Sequence, residues 1–225
     1  MSTVSTYDEL NILPKKQRSE PYEQYFSKMS ISDKEKEERI AFSEHMEEVI
    51  LYVFALIETT IENGETSWEY IQTQLYDKYL DIVLLYMPID KYIRQYAKEI
   101  SKEIVETTFQ DIDIKGETIQ AENIKSVDSY YLSNDRAMFI AECEANSMLN
   151  YKQYSVAVQI GKTKKTWVDI RDSHERKSHL EVGGTTIPID EPFSVGGSLL
   201  MFPKDYSLGA SADQIVNCRC SVKYS

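Results

Sequence analysis

Two stretches decide the fold of the last part of this chain: "GKTKKTWVDIRDSHERKSHLEVGG" at residues 161–184 and "IVNCRCSVKY" at residues 215–224. Short apolar runs separated by glycine and proline, "KTWVDI", "TTIPI", "SLLMF" and "CSVKY", predict short strands. A sheet this small buries little apolar surface, so a bound metal ion or a dense polar cluster would stabilise it. The two stretches hold four of the six histidines and cysteines of the chain: His174, His179, Cys218 and Cys220.

These four side chains allow two interpretations. Cys218 and Cys220 are separated by one residue, so both thiols project to one side of an extended segment. A cation held between them, with His174 and His179 returning from the earlier stretch, would form a structural zinc site. Alternatively, both thiols are small buried side chains and the histidines are half-exposed. The spacing is not that of a standard zinc finger, and both interpretations stay open.

Composition predicts a folded and largely helical protein. Of the 225 residues, 42% are hydrophobic, and there are only 8 glycines and 6 prolines. Three cysteines are an odd number, and two of them are too close for an easy mutual disulfide, which favours a reducing compartment. The first residues do not resemble a secretory signal, and no apolar run reaches the roughly 18 residues that span a bilayer. We therefore expect no membrane partner.

The first part of the chain has helical periodicity. Residues 1–31, with two prolines, predict an extended arm. Ser32 and Glu35 form a capping box that predicts a helix over 33–62. A second helix reaches about residue 87, and Asp90 caps a third. These helices predict a bundle.

The glycine-containing segment 110–120 predicts a linker or a turn before a fourth helix at about 135–159, capped by Ser133 or Asn134. The expected fold class is α+β: an N-terminal helical bundle followed by a small mixed domain in which one helix packs on a short-stranded sheet. The predicted domains are an arm at 1–31, an acidic helical domain at 32–130 and the mixed domain at 131–225.

Charge is distributed unevenly. Residues 1–130 hold 14 Lys and Arg against 26 Asp and Glu, whereas residues 131–225 hold 11 against 11. The acidic part disfavours non-specific binding to nucleic acid. If any surface contacts DNA phosphate, it is the basic stretch 162–177; a solvated turn of mixed charge is the alternative. The candidate cations for DNA contact are Lys162, Lys164, Lys165, Arg171, Arg176 and Lys177.

An ordered set of motifs runs from about residue 136 to 224: "RAMFIAECEANSMLNY", "KKTWVDIRDSHERKSHLEVGG", "EPF", "FPKD" and "NCRC". The set resembles the carboxy-terminal domain of the phage Mu F-like family, the minor head or head morphogenesis proteins of tailed bacteriophages. Cys143 and His174 depart from it, since threonine and arginine are usual there. The residues that match the family motifs are Glu144, Trp167, Asp172, Arg176, His179, Asn217, Cys218, Arg219 and Cys220.

The resemblance implies a structural protein rather than an enzyme. Such a protein would associate with the phage portal protein, or with the major capsid or scaffold protein, and assist head assembly, genome packaging or ejection. Its location would be the virion, the phage head, after assembly in the host cytoplasm. Glu144, among apolar neighbours, would be a buried acid paired with Arg136 or Arg219 rather than a catalytic carboxylate.

A different class of function, a metal-dependent hydrolase such as a nuclease, is the alternative. It would use Asp172, His174 and His179 as metal ligands or base, with a metal-activated water as nucleophile. A catalytic site keeps an open coordination position, whereas a structural site would be closed by Cys218 and Cys220. Thiolate ligands favour zinc over the magnesium that phosphoryl chemistry usually recruits, which favours a structural site.

Overall fold

The computed structural model describes residues 20–63, 68–116, 130–172 and 175–225. Long helices come first and short strands follow, which confirms the predicted α+β class. Within the described ranges, no helix combines the length and apolar character needed to cross a membrane. The helices are α1 (Tyr22–Ser27), α2 (Asp33–Glu62), α3 (Glu69–Leu84), α4 (Lys91–Gly116), α5 (Asn134–Gln159), α6 (Lys177–Val182) and α7 (Ala212–Ile215), and a 3-10 turn at Tyr130–Leu132 precedes α5. The strands are β1 (Lys164–Val168), β2 (Thr186–Pro188), β3 (Phe193–Val195), β4 (Ser198–Leu200) and β5 (Ser221–Tyr224).

The chain divides into two compact units, and the divisions fall inside α2 and inside α5. One unit comprises residues 1–41 and 142–225, and the other comprises residues 42–141. We call them the mixed unit and the helical unit. The domain boundaries predicted above, at residues 31 and 130, were drawn from the sequence pattern alone. They stay a prediction.

Side-chain caps set the starts of the long helices. Ser32 and Glu35 form the expected capping box: the Ser32 amide donates to the Glu35 carboxylate at 2.6 Å, and the Glu35 amide donates to the Ser32 hydroxyl at 3.3 Å. Asp90 caps α4 and Ser133 caps α5, each accepting a backbone N–H three residues further on, at 2.9 and 3.2 Å. Because these acceptors satisfy amides that the first turn leaves unpaired, the three helices begin where the sequence predicts.

Two segments differ from the expectation. Helix α4 continues into the predicted linker as far as Gly116, so residues 110–116 are helical rather than a linker or turn. Residues 117–129 lie outside the described residues. Within the predicted extended arm, residues 22–27 form α1, whose Tyr22, Tyr25 and Phe26 are buried; residues 1–19 lie outside the described residues.

The helical unit has an apolar core that follows helical spacing. Helices α3 and α4 pack against each other. The apolar residues that recur at helical spacing along α4 are buried, as are their counterparts on α3. The buried residues recur at helical spacing because each helix buries one apolar stripe along its length. The buried residues are Ile93, Ala97, Ile100 and Ile104 on α4, with Ile71, Leu75, Tyr79 and Val83 on α3.

Short antiparallel strands form two small sheets in the mixed unit. Strand β1 is central in a sheet of order β2-β1-β5, and β3 pairs with β4. The sequence does not predict strand β3, because its three residues are too short to show a period. Trp167 on β1 is fully buried and meets Phe193 on β3 edge-on, with ring centroids 5.1 Å apart. This aromatic pair joins the two sheets in one core.

Candidate metal centre

Three side chains that the sequence places 39 and 41 residues apart meet in the mixed unit. The Nδ1 atom of His179 lies 3.6 Å from Sγ of Cys218 and 3.4 Å from Sγ of Cys220. All three ligand atoms lie within 4.8 Å of one another, and all three residues are buried. Among the described residues, this is the group of His, Cys, Asp and Glu side chains whose spacing suits a metal ion.

Local backbone geometry aims the two thiols at the histidine. Cys218 and Cys220 lie between α7 and β5, in the segment that enters the β5 ladder with β1. Asn217, just before Cys218, has a φ of 50°. Asparagine adopts this left-handed conformation more readily than most residues, so it turns the chain sharply into the cysteine pair. The Asn-Cys-x-Cys motif therefore combines a turn residue with two thiols on one side of the segment.

Two asparagines one turn apart on α5 hold the backbone of both cysteines. The Asn146 side chain donates to the Cys218 carbonyl at 3.0 Å, and the Asn150 side chain donates to the Cys220 carbonyl at 3.3 Å. Both amide oxygens accept from the buried guanidinium of Arg39, at 2.9 and 3.0 Å. Burial lowers the pKa of Arg39 to about 10, although Glu35 and Glu38 raise it. This buried network fixes the cysteine backbone from behind.

His179 lies on α6, with its ring against the core. Its ring meets that of Trp167 edge-on, with centroids 5.7 Å apart and an interplanar angle of 88°. The Nε2 atom of His179 has no hydrogen-bond partner within the described part of the chain. The ring is therefore oriented by aromatic packing, with Nδ1 toward the thiols.

The three side chains shift one another's pKa values, and Cys218 and His179 favour opposite charges. Burial opposes ionisation of Cys218, but a hydrogen bond from Cys220 and the charge of His179 hold its pKa well below the usual value. The hydrogen bond with Cys218, together with burial, raises the pKa of Cys220. Burial works against the imidazolium form of His179, yet the nearby Cys218 raises its pKa. A thiolate on Cys218 is the form that binds metals, so the site is disposed toward a cation.

The donor set and the spacing fit zinc. In a tetrahedral site with Zn–S bonds of about 2.3 Å and Zn–N bonds of about 2.0 Å, neighbouring ligand atoms lie about 3.5 Å apart. The two measured sulfur to nitrogen distances, 3.6 and 3.4 Å, match this value. Thiolate and imidazole ligands favour zinc over magnesium or calcium. A cavity of about 20 Å³, lined in part by these three residues, adjoins the group.

The other predicted ligand and motif residues have different neighbours. Asp172 pairs with Arg219 at 2.6 Å. The Arg176 guanidinium donates to the carbonyl of Val216. Asp172 is not a member of the ligand group, and His174 lies outside the described residues. Glu144 is fully buried on α5.

The basic stretch is only partly available at the surface. Lys164, Arg171 and Lys177 are exposed, and Lys162 is half-exposed. Lys165 is buried: its ammonium donates to the Met201 carbonyl at 2.7 Å and lies over the rings of Tyr154 and Phe193. Its position on β1 directs it into the core beside Trp167, because alternate residues of a strand face the same side. Lys165 is therefore not on the surface that could meet DNA.

Sequence reasoning missed the supporting residues. Asn146 and Asn150 lie among buried neighbours on α5, and their four-residue spacing was the signal that they share one face. Arg39 had no such signal, since its partners are 107 and 111 residues away. Glu175, which also lines the cavity, stands in the sequence only as part of a mixed-charge turn.

The fold and site define a class of protein: an α+β protein whose small sheet region contains a buried group of one histidine and two cysteines able to hold a metal ion. Comparison with protein families then places it. The chain belongs to the family described as Phage Mu protein F like protein, whose model matches residues 92–223. The match includes the whole site and extends further toward the N-terminus than the motifs that carry the resemblance.

Two curated bacterial proteins are similar to part of the chain. One is the NAD(+)--arginine ADP-ribosyltransferase EFV of Enterococcus faecalis (strain ATCC 700802 / V583), 29% identical over 135 residues, which are 58% of this chain and 26% of that protein. The other is the Uncharacterized protein YqbB of Bacillus subtilis (strain 168), 27% identical over 141 residues, which are 57% of this chain and 46% of that protein. The chain thus spans less than half the length of either relative. No solved structure shows a significant match.

Proposed function

We propose that this chain is a bacteriophage minor head protein that associates with the portal protein or the procapsid and assists head assembly, genome packaging or ejection. The observation that carries the proposal is the family match over residues 92–223. The protein would be found in the phage head after assembly in the host cytoplasm. Its role would be structural rather than enzymatic.

The helical unit, residues 42–141, is the proposed docking module for the portal protein. The acidic balance of residues 1–130 disfavours contact with packaged DNA and leaves proteins as the favoured partners. At the end of α3, the side chains of Leu84 and Leu85 are 61% and 69% exposed. Adjacent exposed leucines suit a protein contact better than a solvated surface.

Co-purification tests the docking proposal. The full chain would be expressed with the portal protein encoded in the same phage genome and analysed by size exclusion. We expect co-elution, and we expect Leu84→Asp with Leu85→Asp to weaken it. Leu199→Asp is the matched control, since Leu199 is an exposed leucine of the mixed unit. A wild-type chain that elutes apart from the portal protein and is absent from procapsids would overturn the proposal.

For the site, we propose a structural zinc ion held by His179, Cys218 and Cys220. The support is the burial of all three ligands and their spacing. When bound, zinc would cross-link the cysteine segment to α6 through coordination bonds. This cross-link would stabilise a sheet region whose apolar core is small. Elemental analysis of the purified chain should give one zinc per chain.

Neither enzymatic alternative has comparable support. The activity in the name of the E. faecalis protein belongs to that protein, of which this chain matches 26%. For the hydrolase alternative, Asp172 is engaged by Arg219, and the cysteine ligands favour zinc over the magnesium that phosphoryl chemistry usually recruits. Plasmid nicking with magnesium or manganese that disappears in His179→Ala would reverse this preference.

A further inference from the structure

The group of His179, Cys218 and Cys220 supplies three ligands, whereas structural zinc sites have four. A fourth protein ligand would close the site, and a water molecule would leave it open. Identifying the fourth ligand therefore separates a structural centre from a catalytic one.

The Glu175 carboxylate borders the same space. Its Oε1 atom accepts a hydrogen bond from Sγ of Cys220 at 3.6 Å, close to the separation of about 3.5 Å expected between neighbouring ligands of one zinc ion. The carboxylate does not belong to the group whose ligand atoms all lie within 4.8 Å of one another, so it would move closer to that group when a metal ion binds. Glu175 lines the small cavity together with His179, Cys218 and Cys220. The cavity therefore joins the carboxylate to the three ligands already described.

Backbone amides hold this carboxylate in place. The amide of Ile170 donates to Oε1 at 3.2 Å, and the amide of Arg171 donates to Oε2 at 2.6 Å. Arg171 has a φ of 61°, in the left-handed region that non-glycine residues seldom adopt. Outer hydrogen bonds of this kind orient ligating carboxylates in metal sites. Oε1, which also accepts from the Ile170 amide, is the oxygen that lies beside Cys220.

The surrounding charge suits an anionic centre. Two thiolates and one carboxylate around a divalent ion would leave a net charge of about −1. The side chains of Arg176 and Arg219 line the same cavity and supply positive charge beside it. Three anionic ligands are therefore electrostatically tolerable in this buried place.

We propose that Glu175 is the fourth ligand, which closes the centre as a structural zinc site with two thiolate ligands, one imidazole and one carboxylate. This inference rests on the zinc site proposed above. It assigns the fourth position to Glu175 rather than to the neighbouring His174 or to water, and so it leaves no open position for a metal-activated nucleophile.

Cobalt substitution of the purified full chain tests this assignment. Four variants would be compared with wild type by visible absorption of bound Co²⁺ and by Zn²⁺ affinity in chelator competition: Glu175→Gln, Glu175→Cys, His174→Ala and Glu181→Gln. Glu181 is the matched control, because it lies on α6 and its side chain is 67% exposed beside Lys177. We expect a tetrahedral Co²⁺ spectrum for wild type, for His174→Ala and for the control.

Glu175→Gln should lower the Zn²⁺ affinity by at least about ten-fold and change the Co²⁺ spectrum. Glu175→Cys should keep four-fold coordination and raise the sulfur-to-cobalt charge-transfer band from two thiolate contributions to three. This gain of signal keeps the inference testable if Glu175→Gln fails to fold. Wild-type spectrum and affinity in Glu175→Gln, or no additional thiolate band in Glu175→Cys, would overturn it. Loss in His174→Ala instead would assign the position to His174, whereas a wild-type chain that binds no metal would overturn the zinc site itself.

Discussion

The two segments that carry the ligands are held in different ways. The cysteine segment, residues 216–222, is fixed through its backbone: Asn146 and Asn150 bond its carbonyls, and β5 pairs with β1. The histidine loop, residues 169–182 as far as they are described, is held to the cysteine segment by side chains. The difference teaches that backbone hydrogen bonds place the thiols, whereas side-chain contacts, including the packing of His179 on Trp167, place the histidine loop beside the proposed metal.

The largest expected effect is loss of the metal link. Cys220→Ser removes a thiolate, so Zn²⁺ affinity should fall by more than the roughly 100-fold that loss of an outer partner can cost. Isothermal titration or chelator competition measures it. Cys143→Ser is the control, since Cys143 is a buried thiol outside the ligand group. Equal zinc binding by the two variants would contradict the assignment of Cys220.

The next effect concerns the backbone support of the cysteine segment. Asn146→Ala removes the hydrogen-bond partner of the buried Arg39 Nε and of the Cys218 carbonyl, which should lower the free energy of unfolding by about 2–3 kcal/mol. Denaturant unfolding measures this value. Gln159→Ala, at the exposed end of the same helix, should change it by less than about 0.5 kcal/mol. A similar small change in Asn146→Ala would mean that the segment does not depend on α5.

A smaller effect is a pH dependence from Lys165, which lies on the strand paired with β5. Burial lowers its pKa from 10.5 to about 8, although Asp205 raises it. Between these two values the unfolded chain binds more protons than the folded one, so this residue's contribution to stability rises with pH. The free energy of unfolding of wild type relative to Lys165→Met should therefore increase from pH 8 to pH 10. The exposed Lys164 gives the control, and a flat or falling difference for Lys165→Met would contradict its buried position.

The smallest expected effect is on DNA binding, through the exposed cations of the histidine loop and of strand β1 before it. If the exposed cations contact DNA phosphate, replacing Lys164, Arg171 and Lys177 by alanine should weaken binding to duplex DNA and lower its salt dependence. Lys165→Ala should leave the salt dependence unchanged, because its ammonium is buried. Fluorescence anisotropy at several salt concentrations measures both. An unchanged triple variant would support the interpretation of this stretch as a solvated turn.

Local signals predicted much of the fold. The capping box at Ser32 and the cap at Asp90 act within four residues, so the sequence contains the whole cause of each helix start. The two cysteines were likewise predicted to face one side, because that depends only on strand alternation. The end of α4 was not predicted, because a single glycine is compatible both with a turn and with a helix terminus.

Long-range pairings were beyond this kind of reasoning. The ion pair between Asp172 and Arg219 joins residues that are 47 positions apart, so no local spacing in the sequence predicts it. The approach of Glu175 to Cys220 has the same origin, since 45 residues separate them. Spacing rules describe neighbours along one element, whereas these contacts join different elements.

We propose that a zinc ion joins the histidine loop to a cysteine segment that the fold already holds. Amide hydrogen exchange of the zinc-loaded full chain, before and after chelation, tests it most directly. We expect chelation to speed exchange strongly in residues 175–182 and only slightly in β5 and in α5 around Asn146. Equal exchange before and after chelation, or equal acceleration in both segments, would contradict the account.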